Sequence, residues 1–423
     1  MKKASIVSIG NELLTGQTLS TNAAYLGEKL LSIGIPVVSS YTVSDDVDSI
    51  VRSFNLAGSD ADVVVATGGL GPTDDDLTRQ AFARFLGTDL QLKNELLQKI
   101  RDFFITRNRQ MSEKNKVQAY IPAGAKPIDN NLGTAPGIIA EANDKLFIAL
   151  PGVPSEMKQM FEESVLPELE KLAIGQAVVM RKLKCFGASE SNIAELLGPV
   201  MQRGRNPLVN CTVHYGVITL TIIAAAEGKE QARKMAEQDE KLLRRKLKEL
   251  IYGTDEQTLA EVVGEKLAQQ KKTLAVAESC TGGTLAKLLT DIPGASRYFT
   301  YGWVTYSNSA KTSELGVPAD LIEKYGAVSE QVALAMAQCA RRKAATDFAI
   351  AITGIAGPTG SPAPIRHNPK LNWCGEQRQV GLVYISMDSV SGTEIKRFIF
   401  SHNRDFIRLQ AAQTALNMLR LRL

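Results

Sequence analysis

Histidine is scarce in this chain, with three in 423 residues. His214 falls in an alternating, strand-like run, His367 in a proline-rich loop and His402 just before the last helical segment, so no imidazole has a claim on a nucleophile. Activation of a hydroxyl must then come from another base. Cysteine is also sparse. The five present have no paired metal-ligand spacing, which excludes a zinc-ribbon pattern and points to a reducing, cytoplasmic setting. No stretch approaches the roughly 18 apolar residues of a membrane helix. The opening Met1 to Gly10 has too short an apolar core for a signal peptide. A net charge of +4 is small for this length, and without clustered excess cations direct nucleic-acid contact is not expected. The length itself predicts two or three domains.

The most informative stretch that is present is Ala277-Glu278-Ser279-Cys280-Thr281-Gly282-Gly283. The apolar run Thr273 to Ala277 reads as a buried strand, and Thr284 to Leu289 resumes with helical apolar spacing. A hydroxyl and a thiol therefore sit on a strand-to-helix turn. The first N–H groups of the helix have no intrahelical partner and could hold an anion or a developing oxyanion beside Ser279. The alternative is a plain helix start with Thr281 as its cap. Further on, Tyr301 to Tyr306 forms a second strand-like run followed by Asn308 and Lys311, a candidate base, since Ser-Lys arrangements solve the same problem as Ser-His. A third strand, Phe348 to Ile352, runs into Thr353, Gly354, Gly357 and Pro358. Three strand ends with polar or glycine-rich loops can converge on one pocket, because open α/β sheets bind ligands at the carboxyl ends of their strands.

Glu278 to Gly283, Thr305 to Asn308 with Lys311, Gly326 to Glu330 and Thr353 to Pro358 together resemble the nicotinamide-nucleotide amidase domain of the CinA family. The resemblance implies hydrolysis of the carboxamide of nicotinamide mononucleotide to nicotinic acid mononucleotide and ammonia, without a cofactor. It assigns Ser279 as nucleophile, Lys311 as base and Tyr306 as a hydrogen-bonding partner, with Thr281, Gly282, Gly283, Asn308, Thr353 and Gly354 lining the nucleotide pocket. Cys280 is the rival nucleophile on chemistry alone. One departure from the family pattern is an insertion, Ser361 to Gln379, where relatives have a short loop and a Lys-Pro pair. It reads as a lid or as a solvated insertion whose Arg366, His367, Lys370 and Arg378 could meet a phosphate.

The first half of the chain makes a separate case. Strand-like Ala4 to Ile9, helical Thr21 to Ile33, strand-like Pro36 to Val43, a helix opening at Ser44-Asp45-Asp46 and the apolar run Ala61 to Thr67 alternate as a βαβαβ unit with a parallel sheet. The last strand leads into Gly68, Gly69, Gly71, Thr73, Asp74, Asp75, Asp76 and Thr78, and then a helix through Leu86. The glycines allow close approach to a ligand. Phosphate and three aspartates repel unless a hard cation such as Mg²⁺ bridges them. Alternatively Thr73 caps the helix and the aspartates favour its positive end. With Gly10, Asn11, Glu12 and Asn22, Gly133 to Gly137 and Leu150 to Met157, this loop resembles the MoaB-like, molybdopterin-binding domain of CinA proteins. That resemblance implies a pyrophosphatase of ADP-ribose-type dinucleotides, with Asp74, Asp75 and Asp76 at a divalent metal and the other named residues, with Thr73 and Thr78, around the substrate.

The stretch between contributes no evident chemistry. Ala177 to Phe186 and Gly216 to Ala226 read as strands, Ser189 to Met201 as a helix and Lys229 to Tyr252 as one long charged helix with a solvated face. The expected protein is α/β in three parts: a MoaB/MogA-like domain over 1–172, a small α+β connector over 173–253 and an amidase domain over 254–423 closed by an amphipathic helix, Asn403 to Leu421. Its expected ligands are nicotinamide mononucleotide and ADP-ribose, and a homodimer is the expected assembly. The alternatives are an amidase whose first domain only binds pterin or nucleotide, and a non-enzymatic interaction protein of DNA uptake or recombination.

Overall fold

The computed structural model describes residues 2–173, 177–359 and 379–423. Nearly all of the 361–379 insertion, with Arg366, His367, Lys370 and Arg378, therefore lies outside the described residues. The chain forms two compact units, Met1–Met180 with Ile223–Ala236, and Arg181–Ile222 with Glu237–Leu423.

In the first unit, strands Ala4–Ile9 and Val63–Thr67 are buried along their whole length, as their apolar runs require of central parallel strands. They pair in parallel, with Val37–Val43 outside the first and Lys145–Leu150 outside the second. Alternate residues feed two cores. Val7, Ile9, Val64 and Ala66 join Phe54, Phe82 and Phe147 on one face, while Ile6, Val63 and Val65 join Leu26, Leu30, Met157 and Phe161 on the other. The sheet is mixed rather than purely parallel. Gly137–Ala142 turns back antiparallel against Lys145–Leu150, and Lys126–Ile128 completes the order antiparallel to it. The Asn143-Asp144 turn between those two strands carries both residues at positive φ, the geometry of a tight hairpin. Asp46 caps helix Val47–Asp60 through the Ser49 amide at 2.8 Å. The loops after Ile9 and Thr67 leave neighbouring parallel strands at the same end, so Gly10 and Gly68 meet there.

The second unit is built on a five-stranded sheet. Phe299–Val304, Leu274–Glu278 and Phe348–Gly354 are parallel neighbours, and Leu382–Ser389 and Gly392–Ile399 follow antiparallel. Register places Glu278 beside Val304 on one side and Ile352 on the other. Ser279 thus emerges between the loops that begin at Thr305 and Thr353. Backbone bonds fix all three ends: Thr305 N–H donates to Glu278 O at 2.8 Å and Ser279 N–H to Ile352 O at 2.9 Å. Helix Glu330–Ala344 covers one face through Val332, Met336 and Ala340. Helix Arg404–Arg422 covers the other, but it is buried on more than one side, with Ile407, Ala411, Ala412, Ala415, Leu416 and Leu419 all in the core.

Two connector elements differ from the sequence expectation. The long charged helix stops at Leu247, and after a 3₁₀ turn the chain enters strand Ile251–Thr254, antiparallel to Leu183–Cys185. Lys248 takes a left-handed φ of 48°, which ends the helix, and the apolar Ile251 and Tyr252 then bury their side chains. Helix Glu190–Leu197 likewise ends early. Gly198 at φ 53° followed by Pro199 cannot continue an α-helix, and a 3₁₀ turn takes over.

Candidate functional sites

The Ser279 turn is shaped by the residue before it. Gly282 and Gly283 adopt left-handed backbone, and helix Thr284–Thr290 starts with no side-chain cap from its own N-cap, Gly283. The cap comes instead from Glu278, whose carboxylate is fully buried. It accepts the N–H groups of Gly283 at 3.0 Å, Leu285 at 3.1 Å and Ala286 at 2.8 Å. Burying a carboxylate costs several kcal/mol, which three charge-assisted bonds at the positive end of a helix offset. This corrects two expectations. Thr281 is not the cap, and the amides of 283, 285 and 286 are not free for an oxyanion. The Cys280 and Thr281 amides, which precede the helix, have no carbonyl partner among the described residues.

Lys311 lies across the turn. It opens a π-helical turn, Lys311–Leu315, behind the short helix Asn308–Ala310 that Ser307 caps. Its side chain is 1% exposed. Nζ stands 3.0 Å from Ser279 Oγ, 2.8 Å from Thr305 O and 3.3 Å from Tyr306 O. Burial lowers its pKa from 10.5 to about 8. Two carbonyls take two of its protons. In the neutral amine the third direction, toward Ser279, is then the lone pair, and the serine O–H can donate into it. Cys280 fares differently: burial pushes its thiol up to about 12, so at neutral pH it is protonated and packed among core residues. Geometry and protonation both favour Ser279 over its neighbour.

The remaining residues expected here divide into groups. Thr281 is fully buried with its hydroxyl unpartnered among the described residues, and Thr305 shares both properties. Thr353 donates to Ala327 O at 2.8 Å and serves as framework. Gly354 is needed for close approach, since a Cβ there would sit 2.7 Å from Leu382 O. Asn308 is exposed at the start of its helix. Tyr306 contacts Lys311 only through its carbonyl. Its ring is 61% exposed and its hydroxyl accepts from Arg404 Nη2 at 3.1 Å. Two arginines that the sequence reading missed complete the site from the last helix. Arg404 Nη1 donates to Gly357 O at 2.7 Å, and Arg408 donates to Thr281 O from Nε at 3.1 Å and Nη2 at 2.9 Å. Their i, i+4 spacing on a helix that opens at Asn403 was the available signal.

The first unit has a pocket of about 410 Å³ where the Gly10 and Gly68 loops meet. Gly68 is obligatory, with φ 113° and a Cβ position 2.1 Å from Ile9 O. The loop is pinned from below: Thr78 Oγ1 donates to Gly68 O at 2.8 Å, and the buried Arg79 donates to Leu70 O at 2.6 Å and Gly71 O at 2.5 Å. Asn22 is also framework, donating to Thr67 Oγ1 at 3.0 Å and Gly152 O at 2.8 Å. Glu12, Asp45, Asp75, Asp76 and Glu156 line the pocket, and among the described residues no lysine or arginine does. Asn11 N–H donates to Asp45 at 2.8 Å.

The three consecutive aspartates do not act as a set. Asp74 is 94% exposed, ion-paired to Lys114 at 3.3 Å and absent from the lining. Asp76 accepts the Thr73 amide at 2.8 Å and the Thr73 hydroxyl, so Thr73 closes a turn and does not cap helix Thr78–Leu86. Among the described residues no three carboxylate, histidine or cysteine groups converge on a point where they could share one ion. The donors suit a hard cation by chemistry, and they fit one that arrives with its ligand better than one held in a ready-made cage.

Two predictions follow from these geometries. Glu278→Gln leaves one buried N–H facing an NH₂ group, so it should lower the free energy of unfolding by about 1–3 kcal/mol and reduce turnover at Ser279. An unchanged denaturation curve would remove Glu278 from its capping role. The Asp45 carboxyl is raised above its usual value by burial, and by the charges of Glu12, Asp75 and Asp76, against the lowering from Asn11. A raised folded-state pKa means the ionised form opposes folding, and that cost vanishes at acid pH. Asp45→Asn should therefore raise the melting temperature at pH 7 and give no gain below the carboxylate range. Equal gains at both pH values would point to packing instead.

Family models bear on all three segments. Residues 5–171 match a probable molybdopterin binding domain, 180–253 the KH domain of the damage-inducible protein CinA, and 256–423 the CinA C-terminal domain. The KH match carries no Gly-x-x-Gly sequence within 180–253, the loop with which such domains clamp a nucleic-acid backbone. A CinA-like protein of Kosmotoga olearia is 40% identical over 418 residues, spanning 99% of this chain and 98% of the relative. One from Dictyoglomus thermophilum has the same identity and coverage. A solved structure, the protein CinA with unknown function from Thermoplasma acidophilum, is 38% identical, covering 41% of this chain and 98% of that one, with a TM-score of 0.37. With full-length relatives at this identity and every segment matched in order, the chain belongs to the CinA family.

Proposed function

We propose that the Ser279 site is a serine-lysine amidohydrolase that acts on the carboxamide of nicotinamide mononucleotide. The observation that carries this is a buried lysine with a lowered pKa, 3.0 Å from a serine hydroxyl at a strand end. Neutral Lys311 takes the Ser279 proton as Oγ bonds to the carboxamide carbon. In this reading the Cys280 and Thr281 amides, which have no carbonyl partner among the described residues, meet the oxyanion. The C–N bond then breaks, the Lys311 ammonium gives its proton to the leaving nitrogen, and ammonia departs from an ester on Ser279. Water adds to that ester with Lys311 again as base, releasing the carboxylate and restoring serine. Arg404 and Arg408 put positive charge beside a substrate that bears a phosphate.

The reading of the first unit is a pocket for a pyrophosphate-bearing nucleotide of the ADP-ribose type. Its support is the acid-lined loop: phosphate approaches Asp45, Asp75 and Asp76 only with a divalent cation, which when bound would neutralise both sides and polarise the phosphoryl oxygens.

Ammonia release from nicotinamide mononucleotide by the purified chain tests the first reading. Ser279→Ala should abolish it, Cys280→Ala should leave most of it, and Lys311→Ala should cost on the order of 10²- to 10⁴-fold. Because the reactive lysine is the deprotonated form, kcat/KM should rise about tenfold per pH unit and level off above about 8. No ammonia from the wild type, or full activity in Ser279→Ala, would end the proposal. For the second reading, ADP-ribose cleavage should need added Mg²⁺ and fall in Asp75→Asn, while ammonia release ignores both. Loss of ammonia release on chelation would contradict two independent sites.

A further inference from the structure

A second cleft lies in the same compact unit as Ser279, between the connector hairpin and the start of the last helix. It holds about 550 Å³, and neither Ser279 nor Lys311 lines it. That volume lies within the usual range of small-molecule sites. One wall is aromatic. Tyr215 comes from the tip of the hairpin formed by Leu208–His214 and Val217–Ala226, and His402 and Phe406 come from the entry to helix Arg404–Arg422. The Tyr215 and Phe406 ring centroids are 6.0 Å apart and tilted by 36°, and those of His402 and Phe406 are 4.5 Å apart at 60°. Tyr215 remains 46% exposed, so much of its ring surface is unspent.

Tyr215 at φ 48° and Gly216 at φ 81° form the two-residue turn of the hairpin, which presents the Tyr215 ring at its tip. His402, at φ 86° just before helix Arg404–Arg422, brings a second ring to the same cleft. Gly216 supplies the left-handed φ that the turn after Tyr215 requires, and it sits against the Gln410 side chain, so the hairpin tip packs on the helix.

Charge decides what the cleft can hold. Among the described residues, Glu190 is the only carboxylate in the lining, and no lysine or arginine lines it. Aromatic faces and a carboxylate both attract positive charge. A phosphate would meet Glu190 with no cation to offset it, which disfavours nucleotides and nucleic-acid backbones. We propose that this cleft binds a small organic monocation with a flat or methylated head, of the pyridinium or quaternary ammonium class, its charge toward Glu190 and its face on Tyr215 and Phe406. The last helix would then serve two sites from different faces, with Arg404 and Arg408 at the Ser279 turn and Phe406 and Gln410 in this cleft.

Titration calorimetry of the full chain with 1-methylpyridinium tests this, because that probe has no carboxamide to engage the Ser279 site. Nicotinate is the anionic control and benzyl alcohol the neutral one. The wild type should bind the cation and neither control. Glu190→Gln and Tyr215→Ala should each weaken binding roughly five- to thirtyfold, while Tyr215→Phe and Lys311→Ala should leave it unchanged. Circular dichroism and unfolding midpoints establish that the variants are folded. If Tyr215→Ala does not fold, Glu190→Gln and Tyr215→Phe still decide. No binding at millimolar cation, equal binding of either control, an unchanged Glu190→Gln, or a loss in Lys311→Ala would each overturn the proposal.

Discussion

The chemistry proposed for the second unit depends on Lys311 being buried with no carboxylate partner among the described residues. A surface lysine near Ser279 would remain an ammonium ion at neutral pH and could not accept the serine proton. Here desolvation brings the ionisation to about 8, and two backbone carbonyls orient the amine without fixing its charge as a carboxylate would. The nearest acid in sequence, Glu278, is fully occupied by three amides of the next helix. The site thus holds a carboxylate bonded to three backbone amides and an amine bonded to two backbone carbonyls, each with its own backbone partners.

The first unit uses the opposite electrostatic arrangement. Its glycine loop is held by a buried arginine from beneath, and five carboxylates line the open side. Burial, joined by the charges of Glu12, Asp75 and Asp76, raises the Asp45 carboxyl above its usual value. Such an acid-lined surface repels a bare phosphate, and on the proposed reading a cation would have to accompany one. The two units therefore differ in their electrostatics, one offering an amine and amides and the other oxygen donors.

Much of this was legible in the sequence because it is local. Ser279, Gly282 and Gly283 follow a five-residue apolar strand, and Lys311 follows the next strand by a few residues, so strand-end reasoning alone brings them to one edge of the sheet. Two kinds of feature escaped. Long-range partners did, since nothing near Ser279 announces Arg404 or Arg408 from the last helix, or Asp45 and Glu156 beside the Gly68 loop. So did side-chain direction within a motif. Glu278 reads only as part of the turn motif and turns out to cap the next helix, the Tyr306 hydroxyl accepts from Arg404, and Asp74, Asp75 and Asp76 splay because successive residues of a turn cannot all face one point. The helix expected through Tyr252 failed for a related reason: charge pattern outweighed the short apolar run at Ile251 that tertiary burial rewards.

The central claim is the protonation state of Lys311, and NMR titration of ¹³Cε-labelled lysine reports it directly, with Lys311→Ala assigning the resonance. The account predicts one lysine titrating near 8 and shifting in Ser279→Ala, whose missing hydroxyl alters the third contact of the amine. A Lys311 resonance titrating at the ordinary lysine value of 10.5, or above it, would contradict the account, since the amine would then be an ammonium ion wherever the protein works.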